Sequence, residues 1–138
     1  MSLKTFTIIG SGNVATHIGK ALQRQGYIIN GVFSHTLANA EQLAAALHCP
    51  ATDSIGDVPE ADAFLFSVKD SALPSLASEI VKRFGKTPTY IHTAGCIPVS
   101  IFGNGATRQA VIYPLQTLSK QREIAFRTAG GGTGKSVD

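Results

Sequence analysis

Four short stretches combine residue types and spacings suited to holding a ligand. The first is Gly10-Ser11-Gly12-Asn13-Val14-Ala15, which fits G-x-G-x-x-G/A. In that pattern the first glycine permits a tight turn out of a strand, and the second lets a pyrophosphate approach the backbone. The last small residue lets the following helix pack on the strand. Here those roles fall to Gly10, Gly12 and Ala15, and the amides of Asn13 and Val14 at the helix start would face the phosphates. The competing reading is a glycine turn with a purely structural role. The context favours the ligand, because an apolar strand precedes the motif and a helix follows it.

The second stretch is Gly31-Val32-Phe33-Ser34-His35-Thr36. A site for NAD calls for an acid about 20 residues past the motif, placed to hold the ribose hydroxyls. This window contains none, and the first acid downstream is Glu41. Two hydroxyls and an imidazole suit a 2′-phosphate better than a diol. NADP is therefore the expected cofactor, held at its adenosine end by Ser34, His35 and Thr36, with NAD as the alternative. The same residues could instead cap a helix, and the two roles are compatible.

The third and fourth stretches are Val68-Lys69-Asp70-Ser71 and His92-Thr93-Ala94-Gly95, each at the carboxyl end of an apolar run. Val68 and Lys69 would lie along the nicotinamide side. Lys69 could reach an anionic substrate or the cofactor phosphates, or be a solvated surface amine. Asp70 is expected to cap the next helix through the amides of Ser71 to Leu73. His92 could exchange a proton with a substrate carbonyl or amine, or be packed and hydrogen-bonded. Cys96 is expected in the core, and His17 and His48 on helix surfaces. Two cysteines without C-x-x-C spacing and four histidines without a tight pair suggest no metal site. Gly130 to Ser136 imitates a phosphate loop, but Ala129 stands where that motif needs glycine.

Those stretches must be positioned by regular elements. Thr5 to Ile9 reads as a buried strand, and Val14 to Gln25 as a helix with Val14, Ile18, Ala21 and Leu22 on one face. Gly26 is its expected left-handed cap. Tyr27 to Phe33 reads as a strand, Leu37 to Leu47 as a helix, and His48 to Asp53 as room for a short strand. Ala63 to Val68 is the most apolar run and reads as a central parallel strand. A helix to about Phe84 tolerates Pro74 in its first turn. Thr89 to His92 is a fifth strand, Pro98 to Phe102 a helical turn, and Ala110 to Tyr113 a sixth strand. Tyr113-Pro114-Leu115-Gln116-Thr117 closes it with a rigid turn. This alternation predicts an α/β fold, a doubly wound and mainly parallel sheet with helices on both faces.

At 138 residues the chain has room for one domain, expected over 1–127, followed by a glycine-rich, disordered tail over 128–138. A hydrophobic fraction of 43% against 15% charged supplies a core. The net charge of +3 is too mild for a nucleic-acid footprint. Its distribution is uneven, with three bases and five acids up to Asp62 but nine bases and four acids from Ala63 onward. No run approaches the roughly 20 apolar residues of a membrane span, so the expected setting is the cytoplasm and the expected partner a small-molecule substrate.

Taken in order, Ile8 to Ala15, Val32 to Thr36, Phe66 to Asp70, His92 to Gly95 and Tyr113 to Thr117 resemble one family. It is the largely uncharacterised Rossmann-like family of NADP-binding reductases related to pyrroline-carboxylate reductase and the deazaflavin-dependent NADP reductases. The resemblance spans about Lys4 to Arg127 and corresponds to that family's N-terminal domain. It implies hydride transfer to or from a small imine or carbonyl, and a helical domain that dimerises and completes the substrate cleft. The chain departs from the family pattern at His35, where arginine is usual, at Tyr113, where histidine is typical, and at Ala94, where serine is. The alternatives are a non-catalytic dinucleotide sensor and, third, a methyltransferase using the same glycine loop.

Overall fold

The structure is a computed structural model and describes residues 4–93, 99–102, 108–112, 124–128 and 135–137. The first strand, β1 (Thr5–Ile9), leads through the glycine turn into α1 (Asn13–Arg24), followed by β2 (Ile28–Phe33), α2 (Leu37–Leu47) and the two-residue β3 (Ala51–Thr52). After a 3-10 turn (Ile55–Asp57) come β4 (Ala63–Phe66), α3 (Leu73–Phe84) and β5 (Thr89–His92). A second 3-10 turn (Val99–Phe102) precedes β6 (Arg108–Ile112), β7 (Ile124–Thr128) and β8 (Lys135–Val137). The strands form one sheet in the order β3-β2-β1-β4-β5-β6-β7-β8. Pairing is parallel from β3 to β6 and antiparallel for the last two.

The pleat explains why helices cover both faces. Successive side chains of a strand point to opposite sides, and here both sides are apolar. Ile8 and Leu65 join Ala15, Ile18, Leu22, Leu43 and Leu47 in one core under α1 and α2. Their chain neighbours Ile9 and Phe66 join Leu73, Leu76, Ile80 and Tyr90 in a second core against α3. All four residues of β4 are buried, as a central strand covered on both faces requires. The fold is the doubly wound α/β architecture that the alternation of elements predicts.

Helix ends follow local chemistry. Gly26 takes φ +96 after α1, and the amides of Gly26 and Tyr27 donate to the Gln23 and Leu22 carbonyls, each at 3.0 Å. That double bond pattern is the glycine-terminated helix stop. His48 lies not on the surface of a helix but just past α2, in the left-handed region at φ 58. His17 is exposed on α1, as expected. Asp70 does not cap α3. The helix begins at Leu73 with Ala72 as its cap residue and no side-chain bond. The Lys69 carbonyl closes that turn, accepting from the amides of Ala72 (2.9 Å) and Leu73 (3.1 Å).

The sheet also extends past Arg127, where a disordered tail was expected. Thr128 ends β7, and Lys135–Val137 pairs with Ile124–Phe126 as the edge strand. Backbone pairing to an open sheet edge needs no apolar side chains, which is why composition gives no sign of it. The segments 129–134 and 94–98 lie outside the described residues, and so do Ala94, Gly95, Cys96 and the stretch 113–117.

Candidate functional site

The site begins where strand order reverses. From β1 the chain winds outward through β2 to β3, then returns to place β4 on the other side of β1. In open α/β sheets that reversal leaves a crevice at the carboxyl ends of the strands. Backbone bonds hold its rim together. The Gly10 amide donates to the Phe33 carbonyl at 2.7 Å, and the Ser67 amide to the Ile9 carbonyl at 2.8 Å.

The two motif glycines do different jobs. Gly10 takes φ +125, and a Cβ there would sit 2.1 Å from the Ser67 carbonyl oxygen. Any side chain would collide with the backbone leaving β4. Gly12, at φ −77 and ψ −169, has nothing within 4 Å of where its Cβ would be. It faces open space, as a position needed for close approach of a ligand should. Ala15 is fully buried against the first core, the packing role its small size implies.

Behind Gly12 the start of α1 is bare. No side chain caps it, and its first turn holds no acid. Its first amides have no partner within the helix, and the helix dipole places partial positive charge there. Thr16 bonds back to the Gly12 carbonyl through both its amide and its hydroxyl, at 3.0 Å each, which steadies the turn. Asn13 is exposed, while Val14 packs partly against the first core.

At the exit of β2, the Ser11 hydroxyl donates to the Ser34 hydroxyl at 3.1 Å. Ser34 Oγ also accepts from the Thr36 amide at 3.4 Å. Accepting twice leaves the Ser34 proton available to donate. His35 is exposed, with its ring edge-on to Phe33 at 5.5 Å. Thr36 is the cap residue of α2 but makes no side-chain cap bond. The Ser34 hydroxyl is therefore engaged by Ser11 across the turn and by the Thr36 amide within it, and neither bond closes the helix end.

Val68 is half-buried and packs against the second core, and Lys69 and Asp70 are exposed beyond it. His92 lies at the end of β5 with 0% exposure, its ring 5.8 Å from that of Phe102. The structure thus brings the glycine turn, Ser34 to Thr36, Val68 and Lys69 to one rim. It turns His92 inward, to the face that carries α3. Among the described residues no three His, Cys, Asp or Glu side chains are grouped to hold a metal. No helix among them is long and apolar enough to cross a membrane.

Three features escaped sequence reasoning. Gly19 has its Cβ position 2.9 Å from Leu47 Cδ1 and 3.0 Å from Ile8 Cδ1, so it sets how closely α1 packs on α2 and β1. Its spacing of four from Ala15 was a visible signal. The Ser11–Ser34 bond joins residues 23 apart and had no local signal. Asp53 follows directly after β3, whose register pairs Thr52 with Phe33, and the Ser34 amide donates to the Thr52 carbonyl at 3.1 Å, so β3 brings an acid-bearing segment to the exit of β2. A two-residue strand is too short for pattern to place it.

A parallel, doubly wound sheet with a glycine turn at its switch point defines the Rossmann-like class. Residues 2–116 match the family model of the Rossmann-like domain, and the chain belongs to that family. Among solved structures it is 34% identical to a candidate NADP oxidoreductase from Bacteroides fragilis, with a TM-score of 0.80, over 91% of this chain and 51% of that one. It also resembles prephenate dehydrogenase from A. aeolicus, solved with hydroxyphenyl propionate and NAD+ (16% identity, TM-score 0.67, 83% of this chain and 43% of that one). A third is pyrroline-5-carboxylate reductase from Coxiella burnetii (18% identity, TM-score 0.63, 80% and 43%). At those lower identities the likeness is one of fold. Among curated proteins nothing matches. The chain spans about half the length of the structures it resembles.

Proposed function

We propose that this chain is the NAD(P)-binding domain of an oxidoreductase, that NADP is its preferred cofactor, and that its substrate is a small imine or carbonyl. One observation carries the reading. At the switch point, Gly10 has no room for a side chain while Gly12 faces open space beside an uncapped helix start. That is the cradle a pyrophosphate needs, and a nicotinamide dinucleotide bound there would supply the hydride. Ser11, Gly12 and the amides of Asn13 and Val14 hold the pyrophosphate. Ser34, His35 and Thr36 face the adenosine ribose, and Val68 flanks the nicotinamide side. Lys69, exposed at the rim, is the candidate to orient substrate and hold a proton. Buried His92 keeps the end of β5 in place. The 34% identity to a candidate NADP oxidoreductase supports the class of reaction.

Calorimetric titration of the chain with NADPH, NADH and S-adenosylmethionine tests the reading. Saturable binding of NADPH, tighter than NADH and lost in Gly12→Val, is the expected result. Binding of the methyl donor alone, or of nothing, would overturn it. A non-catalytic sensor is the second reading, favoured by the inward-facing His92, and it predicts binding without turnover even in the full-length protein.

A further inference from the structure

β2 carries one residue more than the strand it pairs with. Thr5 pairs with Ile28 and Phe6 with Ile29, but Thr7 then pairs with Gly31, Ile8 with Val32 and Ile9 with Phe33. Asn30 is the residue left over. Such bulges are rare between parallel strands, and one extra residue reverses the side to which everything beyond it points. The two cores record that reversal. Ile29 and Val32, three residues apart, enter the core under α1 and α2 together with their partners Phe6 and Ile8. Phe33 and its partner Ile9 enter the core against α3. Strict alternation would have sent Ile29 and Val32 to opposite faces.

The segment approaching β4 clasps the slip. Asn30 Nδ2 donates to the Glu60 carbonyl at 2.8 Å, and the hydroxyl of fully buried Thr7 donates to the Pro59 carbonyl at 2.9 Å. Gly31 lies against the Pro59 ring, where a Cβ would come within 2.6 Å of Pro59 Cγ. The three residues at the slip thus meet two consecutive residues of one segment. That segment is anchored in turn by Arg83, which donates to the Ile55 and Val58 carbonyls.

We infer that Asn30 is a positioning residue for the site at the other end of β2: its bond to Glu60 fixes the slip, and the slip sets Ser34 against Ser11. The inference rests on the binding site proposed above. Beyond the slip, the register brings the Phe33 carbonyl to the Gly10 amide at 2.7 Å and Ser34 Oγ to the Ser11 hydroxyl at 3.1 Å. One residue of strand is ~3.3 Å. Pairing one residue out of place would carry Ser34 out of hydrogen-bond reach of Ser11 and turn it to the other face. Asn30 itself stands four residues before Ser34, ~13 Å along the strand, so it acts on the glycine turn only through the register. Its side chain suits the task because a short amide can donate to a carbonyl, which an ionised Asp of the same shape cannot.

The test is a double-mutant cycle on NADPH binding, with the native chain, Ser11→Ala, Asn30→Ala and the double variant titrated by calorimetry. Ser11→Ala should weaken binding roughly threefold and Asn30→Ala roughly fivefold. The double variant should bind about as Asn30→Ala does, because the Ser11–Ser34 bond is already lost in that background. A purely structural Asn30 would leave the two effects independent, so their factors would multiply to roughly fifteenfold, and that result overturns the inference. Native affinity in Asn30→Ala overturns it too. Should Asn30→Ala fail to fold by circular dichroism, Asn30→Ser, which keeps a polar side chain too short for the Glu60 carbonyl, carries the same expectation. A native chain that is folded but binds no dinucleotide overturns the proposed site instead. The register is then decided without ligand, by urea denaturation of Ser11→Ala, Ser34→Ala and their double variant. Their coupling should be present in the native background and absent with Asn30→Ala, and a coupling unchanged by Asn30→Ala overturns the role given to Asn30.

Discussion

The hydroxyl of Ser11, in the glycine turn, donates to the hydroxyl of Ser34, past the end of β2, at 3.1 Å. Through it the loop that would hold a pyrophosphate and the loop that would hold the adenosine ribose form one unit. A ligand bridging the two would meet a surface already joined, which lowers the cost of ordering it. The Ser67 amide bonded to the Ile9 carbonyl extends that unit to the exit of β4.

The two motif glycines should separate stability from binding. Gly10→Ala combines a left-handed backbone with a Cβ 2.1 Å from a carbonyl oxygen, and should cost about 3 kcal/mol or more of folding stability. Gly12→Val places its Cβ where nothing lies within 4 Å and should cost only about 1 kcal/mol, the loss of a tolerable helix cap. It should nonetheless abolish dinucleotide binding. Urea denaturation and calorimetry on the two variants measure both effects. Equal destabilisation would refute the division of labour.

Ser34→Asp should reverse cofactor choice. The carboxylate would repel a 2′-phosphate and accept from a ribose diol, so NADH should bind tighter than NADPH by about tenfold. Ser11→Ala, which removes the bond to Ser34 without adding charge, should weaken both cofactors by a similar, smaller factor. Side-by-side titrations of the two variants read this out.

Tyr90 is fully buried, and its hydroxyl donates to the Gly85 carbonyl at 2.6 Å. Burial pushes its hydroxyl up to about 12. In the unfolded chain a tyrosine ionises near 10. The folded state therefore holds the proton more tightly, and the contribution is intact below about pH 10. It is lost as pH rises toward 12, where only unfolding releases the proton readily. Tyr90→Phe should cost about 1 kcal/mol at pH 7 and show a shallower alkaline fall in stability. Thermal melts from pH 8 to 11.5 check both.

Arg83 donates to the carbonyls of Ile55 (2.6 Å) and Val58 (2.7 Å) and lies over the Phe84 ring at 4.6 Å. It ties the turn before β4 to the last turn of α3. Arg83→Ala should cost about 1 kcal/mol, and Arg83→Lys should recover less than half of it, because an ammonium lacks the flat guanidinium that lies over the Phe84 ring. Denaturation midpoints of the three proteins measure the difference.

This chain alone should bind NADPH without oxidising it. Its relatives carry about as much chain again as it matches. Of the two side chains considered for proton exchange, His92 is buried and only Lys69 faces the rim. Steady-state assays with imines and carbonyls should show no turnover above the background rate, and a version joined to a relative's second half should regain it. Robust turnover by the 138-residue chain would show that one domain suffices.

The sequence by itself determined the class of fold and the site of the glycine turn. Both are written in local pattern: an apolar run such as Thr5 to Ile9 ending at Gly10, small residues at 12 and 15, and helical spacing from Val14 to Leu22. A strand covered on both faces must be apolar throughout, and β4 announces itself that way. Tertiary structure decided what depends on distant segments meeting. Whether Gly10 needs to be glycine depends on where Ser67 leaves β4. Whether Ser34 is a helix cap or a partner of Ser11 depends on how β2 registers against β1. The segment that meets the exit of β2, Thr52 bonded to the Ser34 amide, arrives through a strand too short to show a period. His92 has the residue type for proton transfer, but the pleat of β5 sends it to the face under Phe102, because alternate residues of a strand must point to opposite sides. Residue type and spacing are properties of the chain; which face a side chain takes, and what it meets there, follow from the register of strands that the chain brings together only on folding.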